Sequence, residues 1–331
     1  MRIVQFVTAD DRRAVARVES TDRLTEIENY RSCYDLAQAA IAAGRGLASL
    51  VEEMATGPQH NYGAVVAEDR LLAPLDHPDP AHFLITGTGL SHLGSADTRD
   101  QMHKKVAEPG EESLSDSMKM FRWGLEGGKP AEGATGVQPE WFYKGDGSIV
   151  AAPGKALSSP SFAEDGGEEP ELVGLYLAGP DGTPWRIGFA LGNEFSDHIM
   201  ERRNYLYLAH SKLRPCAFGP ELLIGDLPSD IRGKSRLLRG DNVVWEGEFL
   251  TGEDNMCHSI ANLEHHHFKY SLFRRPGDLH AHFFGTATLS FAAGIWAEAG
   301  DIFEVSAPDF GRPLRNTLAA STAPKGGVQV L

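Results

Sequence analysis

The sequence predicts an α+β chain, with a small α/β domain over residues 1–80 and a mainly β domain over residues 81–331. Three observations predict it. Strand-like runs open the chain and then give way to apolar residues at helical spacing. The Pro-rich stretch from Pro74 to Pro80 reads as a linker. Beyond Ala81, apolar runs separated by turn residues dominate. At 331 residues the chain can bury a sizeable core.

In chain order, Met1–Thr8 and Ala14–Glu19 read as strands divided by Asp10 and Asp11. A helix is expected after Thr21 and Asp22, carrying Leu24, Ile27, Tyr30, Tyr34, Leu36 and Ala40, with Gly44 ending it. A second short helix is expected over Leu47–Met54. Ala81–Thr86 reads as a strand, and Asp97–Ala107 and Ser113–Trp123 as helices. Gly127 to Glu169 is rich in Gly, Pro, Ser and Ala, with a strand-like Trp141–Lys144 inside it. So long an irregular stretch in a compact chain is usually functional or disordered. There is no internal repeat.

Composition narrows the function. Hydrophobic residues make up 41% and charged residues 23%, as in ordinary soluble globular proteins. The formal net charge of −15 argues against nucleic acid and anionic membranes as partners, because no basic stripe is present to neutralise phosphates. An anionic small molecule needs only a local metal or a few donors. Cys33, Cys216 and Cys257 form no CxxC pair, so neither a disulfide framework nor a thiolate zinc site is indicated. The N-terminus lacks a signal-like apolar region, and no apolar run approaches the length of a membrane span. A cytoplasmic enzyme is the expectation.

The most informative stretch is Glu169-Pro170-Glu171-Leu172-Val173-Gly174-Leu175-Tyr176-Leu177. It reads as a buried strand, with Pro170 tolerated at its start. Glu169 and Glu171 are two apart, so their side chains leave one face. Gly179-Pro180-Asp181-Gly182 is a turn signal, and Trp185–Leu191 returns toward Gly192-Asn193-Glu194. Counted from Asp181, Glu171 lies ten residues before and Glu194 thirteen after, a difference that a bulge or a longer loop absorbs. Three carboxylates therefore converge at one end of a hairpin. Like charges at close range repel unless a cation compensates, and an all-oxygen set suits Mg²⁺, with Mn²⁺ as its substitute. The plainer reading of any E-x-E pair is two exposed glutamates in an acidic chain.

Two histidine clusters are less persuasive. Adjacent residues on a helix point in different directions, so His265-His266-His267 reads as a solvated helical face. His280 and His282 share one strand face and lead toward Gly285 and Thr286, which fits a pocket role for His282 or cross-strand packing equally.

At Glu169, Glu171 and Glu194 the sequence resembles the fumarylacetoacetate hydrolase superfamily, which has an E-x-E pair opening a strand and a second strand ending in G-N-D. Here Glu194 replaces the usual Asp. The resemblance extends to Phe142-Tyr143-Lys144, His210-Ser211-Lys212, Phe218-Gly219-Pro220 and Gly285-Thr286-Ala287. The closing segments Ala299–Val305 and Gly311–Asn316 also look like the family's. The segment Thr86-Gly87-Thr88-Gly89-Leu90-Ser91-His92-Leu93-Gly94-Ser95 is most similar to 2-keto-3-deoxypentonate dehydratases. The family's hydrolases carry a G-x-N-Y-x-x-H segment there, which this chain lacks.

The resemblance implies a mixed β-roll catalytic domain, a homodimer, and Mg²⁺ held by Glu169, Glu171 and Glu194. It implies a lyase acting on a small 2-keto-3-deoxy sugar acid. A keto acid chelated through its carboxylate and 2-keto oxygen loses a C3 proton more readily. Lys212 is the first candidate for proton transfer, against its plainer reading as a solvated lysine or carboxylate partner. Ser91 and His92 are expected near the substrate's hydroxyl end, and Lys144, Gly285 and Thr286 against the substrate. An acylpyruvate-type hydrolase, a 2-keto acid decarboxylase and a sugar-acid binding protein without turnover are the rival readings.

Overall fold

The computed structural model describes residues 1–94, 115–321 and 327–331. The chain begins as an antiparallel meander, β1 (Arg2–Val7), β2 (Arg13–Val18) and β3 (Arg23–Glu26). The first two strands lie where expected. The helix expected from Thr21 onward begins later. Leu24 is instead buried on β3, opposite Val18, and Asn29 turns the chain in a left-handed conformation. Ser32 then accepts a hydrogen bond from the Asp35 backbone N–H and starts α1 (Cys33–Ala42). Apolar spacing alone cannot separate a short strand followed by a helix from one longer helix, because the cap decides where the helix starts. Gly44, at φ 60°, closes α1, and α2 (Leu47–Met54) follows as expected. A short strand β4 (Gln59–Asn61) and α3 (Tyr62–Ala67) complete this part.

The next elements are β5 (Phe83–Gly87) and α4 (Asp116–Gly127). The helix expected over Asp97–Ala107 lies outside the described residues. The irregular stretch carries β6 (Phe142–Asp146), β7 (Val150–Ala151) and β8 (Leu157–Ser159). The hairpin β9 (Pro170–Ala178) and β10 (Pro184–Asn193) follows, then α5 (His198–Arg203) and α6 (Leu208–Lys212). After β11 (Cys216–Phe218) and β12 (Leu222–Leu223) comes a second hairpin, β13 (Ile231–Arg239) and β14 (Asn242–Thr251). The chain ends with α7 (Ile260–Phe268), β15 (Leu279–Phe283), β16 (Ile302–Ser306) and β17 (Leu314–Ala320).

Among the described residues, one sheet has twelve strands, in the order β4-β3-β2-β1-β12-β10-β9-β15-β5-β6, with β11 on β10 and β7 on β11. The other has five, in the order β14-β13-β16-β17-β8. The first 80 residues join the large sheet through β1, which pairs Arg2 with Leu223 and Ile3 with Leu222. The sheet is mixed, since β15 runs parallel to β5 but antiparallel to β9.

Every residue of β9 is buried, which explains its unbroken apolar run. Its two faces feed different cores. Val173, Leu175 and Leu177 pack with α1 and α2 residues such as Leu36 and Val51. Leu172 packs with Phe189, Leu237, Phe249 and Phe303 toward the five-stranded sheet.

The solvated face expected for His265-His266-His267 is corrected. Only His265 is exposed, while His266 and His267 are buried. His267 stacks on His282 with ring centroids 4.8 Å apart and hydrogen-bonds His280 at 3.1 Å. Cross-strand and helix packing therefore accounts for all three of the inner histidines.

Candidate metal centre

The β9–β10 register brings the carboxylates together. From the turn outward the strands pair Pro184 with Ala178 through Arg186 with Tyr176, and the register then shifts by one at Ile187. Beyond this bulge Gly192 pairs with Glu171 and Asn193 with Pro170. The Glu194 N–H donates to the Glu169 carbonyl at 3.0 Å. Directly opposed residues share a face, so Glu194 joins Glu169 and Glu171. Each of the three offers an oxygen within 4.8 Å of the others, and all three are buried.

Buried carboxylates need compensation. Lys212, at the end of α6, donates to Glu169 Oε1 at 2.5 Å, Glu194 Oε2 at 2.6 Å and Ser196 Oγ at 3.1 Å. Phe142 lies against its ammonium, 5.2 Å from nitrogen to ring centroid. Lys144, on β6, pairs with Glu194 Oε1 at 2.5 Å. It also donates to the carbonyls of Glu194, Phe195 and Lys212 at 3.0, 2.8 and 2.9 Å. Those oxygens surround the ammonium, so Lys144 is a counter-charge to Glu194.

A third cation was not anticipated from the sequence. His198, buried at the start of α5, has Nε2 3.1 Å from Glu169 Oε1 and Nδ1 3.3 Å from Asp165 Oδ2. Burial alone would lower its pKa, but the two carboxylates overcome that and raise it to about 10.

The three glutamates are unequal. Burial pushes Glu169 up, but Lys212 and His198 outweigh it and hold its carboxyl well below the usual range. Glu194 is raised by burial against the pull of Lys144 and Lys212. Glu171 is raised furthest from its ordinary value, first by burial and then by the charges of Glu194 and Glu169. Its side chain accepts the Gly285 N–H at 2.7 Å. An oxygen cluster whose third member is held near two other carboxylates fits a hard divalent cation.

The remaining expected residues surround this set unevenly. Gly285, at φ 88°, supplies its N–H to Glu171, so it positions a carboxylate. A Cβ there would lie 2.8 Å from Ser91 Oγ, which places Ser91 one residue removed from Glu171. Ser91 donates to the Phe284 carbonyl and lies 3.0 Å from His92 Nδ1. His92 Nε2 meets Thr251 Oγ1 at 2.8 Å, and burial lowers the His92 pKa to about 4, so its ring is neutral. Thr286 is half-buried and accepts the Thr288 N–H at 3.3 Å.

No family model matches the chain. Over 115 residues it is 30% identical to a Haloferax volcanii protein named "Probable 2-keto-3-deoxyxylonate dehydratase". That match covers 34% of this chain and 37% of the relative, little more than a third of its length. Solved structures align over nearly the whole chain. Apo 2-keto-3-deoxy-D-arabinonate dehydratase has a TM-score of 0.70 at 18% identity, covering 97% of this chain and 100% of that one. A form of the same enzyme complexed with magnesium and 2,5-dioxopentanoate has a TM-score of 0.68 at 18% identity, over 97% and 99% of the two chains. A 5-carboxymethyl-2-hydroxymuconate delta-isomerase from Mycobacterium smegmatis has 0.59 at 16%, over 97% and 100%. The chain has the fumarylacetoacetate hydrolase-like fold, in company with 2-keto-3-deoxy-D-arabinonate dehydratase.

Proposed function

We propose that this chain is a Mg²⁺-dependent hydro-lyase that dehydrates a 2-keto-3-deoxypentonate to 2-oxoglutarate semialdehyde. The observation that carries the reading is the enclosed set of Glu169, Glu171 and Glu194 with its unequal counter-charges. The structural neighbour complexed with magnesium and 2,5-dioxopentanoate supports the substrate class. The same three residues would hold the ion, which supplies Lewis acidity at the keto acid's oxygens when bound.

In the reaction one proton leaves C3 and hydroxide leaves C4. Together these make water, and tautomerisation of the product gives the aldehyde. Lys212 is the proposed proton carrier, because its Nζ lies inside the carboxylate set and is shielded from solvent. Ser91 and His92 are proposed to form the wall at the hydroxyl end, with a neutral His92 adding no charge there. Thr286 is proposed to meet the substrate carboxylate. Gly285 and Lys144 contribute by holding Glu171 and Glu194 in place. The working unit is proposed to be a homodimer, and a monomeric mass in light scattering would overturn that part.

Incubating the protein with Mg²⁺ and a 2-keto-3-deoxypentonate tests the activity, and an aldehyde product is expected. Release of carbon dioxide would replace dehydration with decarboxylation, pyruvate with glycolaldehyde would replace it with retro-aldol cleavage, and pyruvate formed from an acylpyruvate offered instead would make the chain a hydrolase. Saturable binding of the acid with no product would make the chain a binding protein.

A further inference from the structure

Glu169 differs from the other two carboxylates in having a histidine behind it, and that histidine is built in with unusual care. Asp197 caps α5 by accepting the Met200 N–H at 2.9 Å. It also takes Arg214 Nη2 at 2.9 Å and the Glu164 N–H at 3.0 Å, which fixes the helix start that presents His198. Gly167 and Ser196 exchange two backbone hydrogen bonds of 3.0 Å each beside the ring. A Cβ on Gly167 would lie 2.6 Å from the His198 ring, so only glycine leaves room for it.

The ring also packs against Phe291, with centroids 5.1 Å apart. Phe291 is itself anchored, because the neighbouring Ser290 donates its N–H and its hydroxyl to Glu168 at 2.7 and 2.9 Å. Adjacent glutamates thus divide the work: Glu168 clamps the ring's neighbour while Glu169 receives the ring's nitrogen. The ring therefore has a carboxylate oxygen at each of its nitrogens, Asp165 Oδ2 at Nδ1 and Glu169 Oε1 at Nε2. On Glu169 both donors, His198 Nε2 and Lys212 Nζ, converge on Oε1.

From this geometry we propose that His198, braced by Asp165, is a positioning residue that engages one oxygen of Glu169 and presents the other to the divalent cation. The inference rests on the reading of the three glutamates as metal ligands. It follows the general pattern in which a group behind a ligand sets the ligand's orientation and charge.

Mn²⁺ binding, followed through the paramagnetic resonance of the free ion, is a direct readout that does not depend on turnover. His198→Leu should weaken Mn²⁺ binding about 10- to 100-fold, the usual scale for losing such a partner. His198→Gln, which restores an amide donor toward Glu169, should recover most of that loss. A purely structural role would lower the melting temperature in both variants and leave the Mn²⁺ affinity of the folded protein unchanged. Asp165→Asn keeps the ring and weakens its brace, so it should reduce affinity in the same direction but by less. This milder variant keeps the test open should His198→Leu not fold. Wild-type affinity in His198→Leu or in Asp165→Asn overturns the proposal, as does a His198→Gln that binds as weakly as His198→Leu. Absence of Mn²⁺ binding by the wild type would instead remove the metal reading, and this inference with it.

Discussion

The carboxylates at the end of the β9–β10 hairpin and the histidines on β15 and α7 make an instructive pair. Both sets are buried, and both border β9: Glu169 and Glu171 belong to its start, while His280 and His282 pair across to Tyr176 and Gly174. In the first set, charge is kept by packing cations beside it, with Lys144, Lys212 and His198 each touching a glutamate. In the second, charge is expelled. Trp141 donates to His267 Nδ1, so the His267 proton sits on Nε2 and is given to His280 Nδ1. Burial lowers the pKa of all three histidines, to about 4 for His280 and about 3 for His282. They act as neutral aromatic rings, His267 and His280 packed with Phe268 and Phe273, and His282 with His267 and Phe284. A dense group of titratable side chains is therefore a candidate for chemistry only where its environment preserves the reactive form.

Removing one member of the charged set gives the largest expected effect. Glu171→Gln should lower Mg²⁺-dependent turnover by about 10² or more, the scale of losing a group that supports charge in the transition state. Mg²⁺ or Mn²⁺ should restore activity to the chelated wild type but not to the variant. Unchanged turnover, or full activity in excess chelator, would dissolve the distinction between the two clusters.

Lys212→Ala sharpens the same side. Turnover should fall by about 10², the usual scale for a lost general acid–base group. Exchange of the C3 protons with deuterated water, followed by NMR, should be lost too. An exchange rate equal to wild type with no aldehyde formed would move Lys212 from the C3 proton to the leaving hydroxyl.

The neutral set makes a smaller, pH-dependent prediction. Its folded pKa values lie below the ordinary histidine value of about 6.5, so the unfolded chain binds protons first as pH falls. The stability these histidines contribute is complete above about pH 6.5. It is lost on acidification through the window down to about 4 for His280 and about 3 for His282. Each can contribute a slope of up to about 1.4 kcal/mol per pH unit there. The difference in denaturation free energy between pH 7 and pH 5 should shrink in His282→Leu by about 2 kcal/mol. The exposed His265, changed to Ala, should leave that difference within about 0.5 kcal/mol of wild type. An equal slope in His282→Leu and wild type would show that His282 takes up its proton as readily in the folded chain as in the unfolded one.

Legibility followed the range of each interaction. The hairpin is readable because side chains on a strand alternate, so counting from Asp181 brings Glu169, Glu171 and Glu194 together given a bulge or a longer loop, and the structure has the bulge, at Ile187. The start of α1 was misplaced because Leu24 and Ile27 fit a helix's spacing as well as a strand's, and the Ser32 cap lies beyond them. His198 was missed because its partners stand 33 and 29 residues away, where no spacing rule operates. The enclosure of Lys144 is beyond such rules for the same reason, since its partners are 50 and 68 residues distant. The solvated face expected at His266 and His267 fails because their burial comes from the β15–α7 packing, to which the helix's own sequence gives no clue.

The bulge at Ile187 also limits how this chain can change over evolutionary time. Without it, Glu194 would stand opposite Glu168, and its side chain would emerge on the far side of the sheet. Loss or gain of one residue between Ile187 and Glu194 would do the same. Such single-codon events are usually tolerated at a surface turn, where the chain can absorb them. Here only Gly179–Thr183 offers that freedom, and a length change even there must leave the strand register intact. Descendants of this sequence should therefore vary in the identity of residues along β10 long before they vary in its length.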